Sequence, residues 1–323
     1  MSPRVVVLDD WEGLLARSEG IARMRTRADV TVLDRPLAEV PDADLADVEY
    51  VMAVRERTRF DAAALDRLPS LKVLLQSGGH AYHVDLGAAR ERGIVVTHGR
   101  RAHGPRAAVP ELTFALMIGA LRHLPTAVRE MSAGGWPALT GRTLAGRRLG
   151  LLGTGRHGAN VARIAEAFRM DVVGWARPGA TSPNPDIPRV PLDELLPACD
   201  VVSIHLRLSD EVRGLLGATE LASMREGSVL VNTSRGAIVD EPALVEALRS
   251  GPLAAAGLDV FADEPLAPDS PLRTLPNALI TPHIGWTVEE VLDEFATIAA
   301  DQLEAHLDGT LSDDEVNPGA AGL

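Results

Sequence analysis

The stretch RRLGLLGTGRHGANVARIAEAF, residues 147–168, decides the fold of this chain. An apolar run leads into Gly153, Gly155 and Gly158, which have the spacing G-x-G-x-x-G, and an amphipathic helical pattern follows. In this spacing the first glycine makes a tight turn, the second lets the backbone approach a pyrophosphate, and the third lets the helix pack on the strand. The helix N-terminus then offers free N–H groups to phosphate. The stretch predicts a dinucleotide-binding turn, and a plain glycine turn is the alternative.

Short β-branched runs alternate with helical patterns on both sides of this stretch, which is typical of parallel sheets covered by helices. At 323 residues the chain is longer than most single cores allow, so two domains are expected. We predict one series of strands at 4–8, 30–33, 50–54, 72–76 and 94–97. A second series is predicted at 147–152, 171–175, 200–204, 228–232, 254–260 and 278–281.

Two helices are predicted to connect these sheets. The segment 109–123 is apolar almost all round, so we expect it to be buried between domains or subunits, with Pro110 in its first turn. A later helix has Thr287 and Glu290 at capping-box spacing and is expected to return the chain to the first domain. Its predicted buried stripe comprises Val291, Leu292, Phe295, Ile298 and Leu303.

The charge balance limits the class of partner. The net charge of −13 and the pI near 5.2 argue against a nucleic-acid or anionic-membrane surface, because either needs a basic field. The N-terminus has too short an apolar run for a signal peptide, and no run approaches the ~20 residues that cross a bilayer. We therefore expect a cytoplasmic protein. Cys199 is the only cysteine, which predicts a small buried residue rather than a catalytic thiol.

Polar side chains follow the last three predicted strands. Arg235 comes after the first of them, Asp259 and Glu264 after the second, and His283 after the third. Because ligands sit beyond the carboxyl ends of parallel strands, these side chains are expected to converge on one cleft. A guanidinium can bind a substrate carboxylate, an imidazolium can protonate a carbonyl oxygen, and a carboxylate can fix the tautomer of that histidine. Taken singly, each residue also has an ordinary interpretation as a surface or loop residue.

The motifs GLLGTGRHG, VNTSRGAIVDEPALVEAL, AAGLDVFADEPL and LPNALITPHIG occur in an order that resembles the D-isomer-specific 2-hydroxyacid dehydrogenase family, glyoxylate and hydroxypyruvate reductases among them. The similarity in motif and spacing runs from about residue 50 to residue 310. It implies an α/β fold with two doubly wound parallel-sheet domains, a Rossmann cofactor domain inserted into a flavodoxin-like catalytic domain. We expect the substrate domain to comprise residues 1–102 and 286–323, and the NAD(P)-binding domain to comprise residues 103–285.

The resemblance also implies roles for individual residues. Arg235 would bind and polarise the substrate, Glu264 would partner His283, and His283 would be the acid/base. Asp259 would hold the nicotinamide carboxamide, and the residues expected to line the cofactor are Arg156, His157, His205 and Thr233. The family is usually homodimeric through the cofactor domain, which would cover the helix 109–123 and Trp136.

One departure from the family pattern concerns the substrate loop. QSGGHAYHVDL, residues 76–86, resembles the loop whose backbone N–H groups, here at Gly78 and Gly79, meet the substrate carboxylate. His80 stands where a glycine is frequent. It is predicted to contact the substrate, with a side chain pointing to solvent as the alternative.

A second departure lies in GWARPGA, residues 174–180. The family's ribose-binding acid would align with Ala176, and Arg177 follows directly. A carboxylate there would bind the 2′-OH of NAD and repel a 2′-phosphate, whereas an arginine attracts that phosphate. The pair of changes favours NADP over NAD. The alternative is that Arg177 is a solvated loop charge.

The sequence therefore predicts an enzyme, an NAD(P)-dependent reductase of small 2-keto acids. In the reverse direction it would act as a dehydrogenase of D-2-hydroxy acids. No metal site is predicted. One alternative is a binding protein of the corepressor type that senses the redox state of the cofactor. The other is a phosphoglycerate dehydrogenase-like enzyme, which is less favoured because the sequence offers no appended regulatory domain.

Overall fold

The computed structural model describes residues 2–177, 179–180, 184 and 186–317, which divide into two units. Residues 1–104 and 288–323 form one of them, here called the discontinuous unit. Residues 105–287 form the other, the central unit. The assignment of a substrate role to the first and a cofactor role to the second stays a prediction at this point.

The discontinuous unit is built on a five-stranded parallel sheet. Its strands are β1 (Arg4–Val7), β2 (Asp29–Val32), β3 (Tyr50–Ala53), β4 (Val73–Gln76) and β5 (Val95–Val96). They lie in the order β2-β1-β3-β4-β5, which is the flavodoxin-like order. The helices of this unit, numbered along the whole chain, are α1 (Glu19–Met24), α2 (Ala62–Asp66), α3 (Leu86–Glu91) and α10 (Glu289–Leu307).

Helix α10 returns the chain to this unit and packs against α1. The contact is close, because a Cβ on Gly20 would lie 2.2 Å from the carbonyl carbon of Ala296. The five residues of the predicted stripe are buried, as expected for one face of a helix against a core. The predicted capping box is wrong, because the helix begins after Val288 and no side chain caps it.

The central unit is built on a six-stranded parallel sheet. Its strands are β6 (Arg148–Leu152), β7 (Asp171–Trp175), β8 (Val201–Ile204), β9 (Ser228–Asn232), β10 (Leu253–Leu258) and β11 (Ala278–Ile280). Their order is β11-β10-β9-β8-β6-β7, so the order reverses between β6 and β8. Its helices are α4 (Pro105–Leu121), α5 (Leu124–Ser132), α6 (Arg156–Ala167), α7 (Leu192–Ala198), α8 (Ala218–Ser223) and α9 (Glu241–Arg249). Both sheets confirm the predicted class of two doubly wound α/β domains.

The apolar helix α4 differs from its prediction in two ways. Its side chains Phe114, Met117 and Leu121 belong to a core cluster of the central unit, so their burial has its source inside that unit. The helix begins at Pro105, which places Pro110 in its interior rather than in its first turn. Proline there removes one N–H donor. The amide of Asn160 on α6 donates to the carbonyl of Arg106, four residues before Pro110, at 2.9 Å.

Candidate active site

The glycine loop lies between β6 and α6, where the strand order of the central sheet reverses. Gly153 has φ +101°, and a Cβ there would lie 2.6 Å from the carbonyl oxygen of His205. A Cβ on Gly158 would lie 2.0 Å from the carbonyl oxygen of Gly153. Around Gly155, by contrast, a Cβ would meet no described atom within 4 Å. Two glycines are thus required by close packing, and the middle one leaves open space beside the helix N-terminus, as a pyrophosphate site needs.

The residues expected to line the cofactor surround this loop in different ways. Arg156, the first residue of α6, is exposed, and His157 is half-buried. Nε2 of His205 lies 2.9 Å from Oγ of Ser203, and burial lowers the pKa of His205 to about 3, so its ring is neutral near pH 7. Oγ1 of Thr233 lies 2.9 Å from Oγ1 of Thr113 on α4. Arg156 thus places one exposed cation at the loop, and His205 and Thr233 add a neutral imidazole and a hydroxyl.

The predicted ribose position follows β7, which ends at Trp175. Ala176 and Arg177 come next, and Pro178 of the quoted stretch lies outside the described residues. Nη1 of Arg177 lies 2.6 Å from Oε2 of Glu211 and 3.2 Å from Oγ of Ser209. Arg177 is thus paired with an acid rather than fully solvated, and sequence reasoning missed that acid because Glu211 lies 34 residues away along the chain.

The carboxyl ends of β9, β10 and β11 are aligned across the central sheet. Asn232 pairs in register with Leu258, and Leu258 pairs with Ile280. Arg235 follows Asn232 by three residues, and His283 follows Ile280 by three. A Cβ on Gly236 would lie 1.9 Å from the carbonyl carbon of Phe261, so the loops after β9 and β10 are in close contact. The polar loops predicted from the sequence therefore leave the same edge of the sheet.

Glu264 and His283 form a direct pair at this edge. Nδ1 of His283 lies 2.7 Å from Oε2 of Glu264, and their side chains are 21% and 35% exposed. The other carboxylate oxygen of Glu264 accepts a hydrogen bond from the backbone N–H of Phe261 at 2.9 Å. His283 has φ +56°, a left-handed conformation that is uncommon outside glycine and clusters at functional sites. The pairing leaves Nε2 as the nitrogen for chemistry.

Asp259 holds the backbone of the His283 loop. One carboxylate oxygen accepts from the Thr281 hydroxyl at 2.6 Å and from the N–H of Ile284 at 2.8 Å, and the other accepts from the N–H of Gly285 at 2.8 Å. The side chain is buried, and that burial raises the pKa of Asp259 despite these bonds. Sequence reasoning expected this residue at the nicotinamide carboxamide and missed its positioning role. The available signal was an acid one residue after a strand, beside the turn TPHIG.

Arg235 stands at the start of the turn after β9. Its Nη1 donates to the carbonyl of Ser234 at 2.6 Å, and its own carbonyl accepts from the amide of Asn232 at 3.0 Å. The residue is half-buried. Its backbone is therefore fixed by the strand that precedes it.

The predicted substrate loop belongs to the discontinuous unit and follows β4. Around Gly79 the nearest atom to an added Cβ would be Cγ of Arg100 at 3.9 Å, whereas a Cβ on Gly78 would lie 3.2 Å from Nη1 of Arg55. The ring of His80 stacks on Tyr82 with centroids 4.3 Å apart, and its Nε2 lies 3.1 Å from Oε1 of Glu56. The alternative in which His80 points to solvent is therefore wrong.

Other features of the described chain bear on the class of protein. Cys199 is fully buried, and burial raises the pKa of its thiol to about 11, which makes it an unreactive core residue. Within the described ranges no three His, Cys, Asp or Glu side chains are grouped so as to hold a metal ion. Over the same residues no single helix is long and apolar enough to cross a membrane, although the bent pair α4 and α5 passes that test by length and composition.

Comparison with known proteins gives one consistent family. Residues 114–285 match the family described as D-isomer specific 2-hydroxyacid dehydrogenase, NAD binding domain. A D-3-phosphoglycerate dehydrogenase from Methanocaldococcus jannaschii is 35% identical over 87% of this chain and 53% of its own length, so this chain spans about half of that relative. A glyoxylate reductase from Aeropyrum pernix is 37% identical over 84% of this chain and 83% of its own.

A solved structure supports the same conclusion. A putative D-3-phosphoglycerate dehydrogenase oxidoreductase from Ralstonia solanacearum has a TM-score of 0.88 and 32% identity, covering 98% of this chain and 97% of its own. These relatives are named for both phosphorylated and unphosphorylated substrates. The choice between them for this chain has to come from its own residues.

Proposed function

Because this chain belongs to the D-isomer specific 2-hydroxyacid dehydrogenase family, we propose that it moves a hydride between a nicotinamide cofactor and C2 of a small 2-keto or 2-hydroxy acid of D configuration. The observation that carries this proposal is the 2.7 Å contact between Nδ1 of His283 and Oε2 of Glu264 at the carboxyl edge of the central sheet. An imidazole held in this way is suited to move one proton at a defined place.

Three side chains and one positioning acid carry the protein's part of this proposed reaction. Glu264 accepts from Nδ1 of His283 and thereby fixes the tautomer, so Nε2 exchanges the proton with the substrate oxygen. The Arg235 guanidinium binds the substrate carboxylate and polarises the carbonyl. Asp259 keeps the His283 loop in place through its three hydrogen bonds.

The cofactor is assigned to the glycine loop and its surroundings. The open space at Gly155 and the N-terminus of α6 fit a pyrophosphate, and the residues assigned to the rest of the cofactor are Arg156, His157, His205, Thr233 and Asp259. When bound there, the nicotinamide supplies or accepts the hydride. Every proton transfer is left to the side chains named above.

Selection of NADP over NAD is assigned to Arg177. Its ion pair with Glu211 is exposed, with side chains 38% and 74% accessible, and exposed pairs contribute only about 0–1 kcal/mol. A 2′-phosphate can therefore replace Glu211 as the partner of the guanidinium. At position 176 an alanine offers no carboxylate to repel that phosphate.

The substrate carboxylate is further assigned to the backbone N–H groups of Gly78 and Gly79, with His80 beside them. The open surroundings of Gly79 favour this, since a ligand can approach the backbone there. His80 is held by Glu56 and Tyr82 in one orientation, so it can contact a substrate without reorganising.

A homodimer is proposed for the assembly. Helix α5 and the segment after it expose large apolar side chains, namely Leu124 (45%), Val128 (63%), Met131 (49%), Trp136 (90%) and Leu139 (40%). Exposed large apolar side chains clustered in one segment mark an interaction surface. Sedimentation of the wild type and of Val128→Asp tests this: a wild-type monomer would contradict it.

Localisation in the cytoplasm, without nucleic-acid or membrane partners, is also part of the proposal. It is supported by the net charge of −13, which repels polyanions and anionic lipid surfaces.

Turnover separates the proposed enzyme from the alternatives. Purified protein is mixed with NADPH or NADH and a panel of 2-keto acids, and oxidation is followed by nicotinamide absorbance. Reduction of glyoxylate or hydroxypyruvate is the expected result. Preference for the phosphorylated acid would instead support the phosphoglycerate dehydrogenase-like alternative that several relatives' names suggest. Cofactor binding without turnover of any acid would support the corepressor-type sensor.

A further inference from the structure

A second carboxylate–histidine pair lies in the discontinuous unit, at the carboxyl ends of β3 and β4. Oε1 of Glu56 lies 3.1 Å from Nε2 of His80, and Oε2 of the same carboxylate lies 3.3 Å from Nε of Arg55. All three side chains are largely buried, with exposures of 25%, 19% and 14% for Glu56, His80 and Arg55. One carboxylate thus serves both neighbouring basic groups, and we call these three residues the Glu56 cluster.

The Glu56 cluster borders the loop assigned to the substrate. The backbone N–H of Arg55 donates to Oγ of Ser77 at 2.9 Å, and the amide of Gln76 donates to the carbonyl of His80 at 3.0 Å. A Cβ on Gly78 would lie 3.2 Å from Nη1 of Arg55 and 3.3 Å from the amide nitrogen of Gln76. A ligand bound by the backbone of this loop would therefore lie beside the Arg55 guanidinium.

The remaining surroundings of the cluster add little positive charge. His83 and His98 lie near it, and burial lowers the pKa of each to about 4, so both are neutral near pH 7. Arg100 is the further cation beside Gly79, but it is exposed, where water and salt screen its charge. The buried oxygen Oε1 of Gln76 has no hydrogen-bond partner among the described residues. Neither His83 nor His98 therefore supplies a buried positive charge for a second anionic group beside the bound carboxylate.

We propose that Glu56 is a specificity-determining residue that restricts this site to 2-keto acids with a single negative charge. The inference rests on the proposed function and deepens it. A substrate with a phosphate or a second carboxylate next to C3 would bring that group to a guanidinium already neutralised by Glu56, and close to the Glu56 carboxylate itself. Like charges brought together in a half-buried site are rejected, and this is how an unwanted substrate is excluded. Acids with hydrogen, methyl or hydroxymethyl at C2 meet no such repulsion.

The test compares kcat/KM for two classes of substrate at saturating cofactor. Glyoxylate and hydroxypyruvate carry one charge, whereas 3-phosphohydroxypyruvate and oxaloacetate carry more. We expect the wild type to prefer the first class by about a hundredfold, and Glu56→Gln to shift that ratio toward the second class by about tenfold or more. Glu56→Asp keeps the charge and should keep the wild-type preference.

Glu12→Gln is the matched control. Glu12 pairs with Arg57 in the same unit, with Oε2 2.8 Å from Nη1, so this variant also removes one carboxylate from one arginine. It should leave the substrate ratio unchanged. An equal shift in Glu12→Gln would show a general charge effect and overturn the inference, as would an unchanged ratio in Glu56→Gln.

The wild-type ratio can overturn the inference even if Glu56→Gln does not fold, because equal kcat/KM for hydroxypyruvate and its phosphate ester would show that no restriction exists. Turnover of singly charged acids with no effect of Glu56 overturns this inference alone. Absence of turnover with every acid overturns the proposed function, and this inference with it.

Discussion

Two histidine–glutamate pairs lie at the carboxyl edges of the two sheets, and they differ in the ring nitrogen that the carboxylate contacts. In the central unit Glu264 contacts Nδ1 of His283. In the discontinuous unit Glu56 takes Nε2 of His80, and the remaining Nδ1 of His80 is buried. The first arrangement leaves the outer nitrogen for a ligand, whereas the second uses that nitrogen up. We propose that the same two residue types give a proton-transfer group in one unit and a fixed recognition group in the other.

The second carboxylate oxygen sharpens this difference. In Glu264 it accepts from the backbone N–H of Phe261, a neutral donor that leaves the pair's charge unchanged. In Glu56 it lies against the Arg55 guanidinium. Within the described part of the chain, Glu264 therefore contacts one histidine and no cation, whereas the Glu56 carboxylate is shared between His80 and the guanidinium of Arg55.

Replacing the histidines one at a time tests the comparison most strongly. We expect His283→Ala to lower kcat by about a thousandfold, because the proton transfer at Nε2 is lost. His80→Gln should lower kcat for glyoxylate far less. Stopped-flow single-turnover measurements with bound cofactor report this step directly. Equal losses in the two variants would remove the distinction between the pairs.

Glu264→Gln should lower kcat by about a hundredfold, since the amide no longer fixes the tautomer of His283 as a carboxylate does. Cofactor affinity, followed by quenching of protein fluorescence, should change little. A variant with full kcat would show that the 2.7 Å contact is not used in catalysis.

The neutral histidines beside the Glu56 cluster predict a specific pH dependence of stability. The folded-state pKa of His98 is about 4 because the ring is buried, and both ring nitrogens have no hydrogen-bond partner among the described residues. The unfolded chain therefore binds a proton first as the pH falls, and stability is lost from about pH 6.5 toward pH 4. His98→Gln should remove about 2 kcal/mol of the stability difference between pH 7 and pH 5. Urea unfolding at both pH values measures it, and an unchanged difference would contradict a neutral His98.

The ion pair of Arg177 with Glu211 is exposed, and changing it should have the smallest effect on the reaction rate. Arg177→Ala is expected to lower kcat/KM with NADPH about tenfold more than with NADH, because only NADPH carries the 2′-phosphate. Glu211→Gln should favour NADPH slightly by freeing the guanidinium. Steady-state rates with both cofactors measure this, and equal losses in Arg177→Ala would defeat the NADP assignment.

The strands and the glycine loop were predictable from the sequence because they depend on local patterns. The run before Gly153 is apolar and β-branched runs recur at regular spacing, so periodicity alone places all the strands of both sheets. The motifs that contain Arg235, Glu264 and His283 follow predicted strands, at the edge where parallel sheets bind ligands.

The partners of these residues were not predictable in the same way. Glu56 and Glu211 are single acids in polar segments, and nothing local distinguishes them from solvated charges. Their contacts with His80 and Arg177 depend on how distant loops meet. The sequence marks Asp259 as a candidate site residue, but its hydrogen bonds to the Thr281–Gly285 turn depend on the register of β10 with β11. Pro110 was misplaced because the helix starts four residues earlier than its apolar pattern suggests.

Pro110 and Asn160 depend on each other for stability. The amide of Asn160 supplies the donor that Pro110 lacks, at a carbonyl that would otherwise have no helical N–H. Replacing Asn160 alone would leave the carbonyl of Arg106 without this donor. Replacing Pro110 first would restore the main-chain N–H and make the Asn160 amide dispensable. The two positions should therefore show thermodynamic coupling in a double-mutant cycle. Replacing the asparagine should cost less stability in a chain that has already lost the proline than in the wild type.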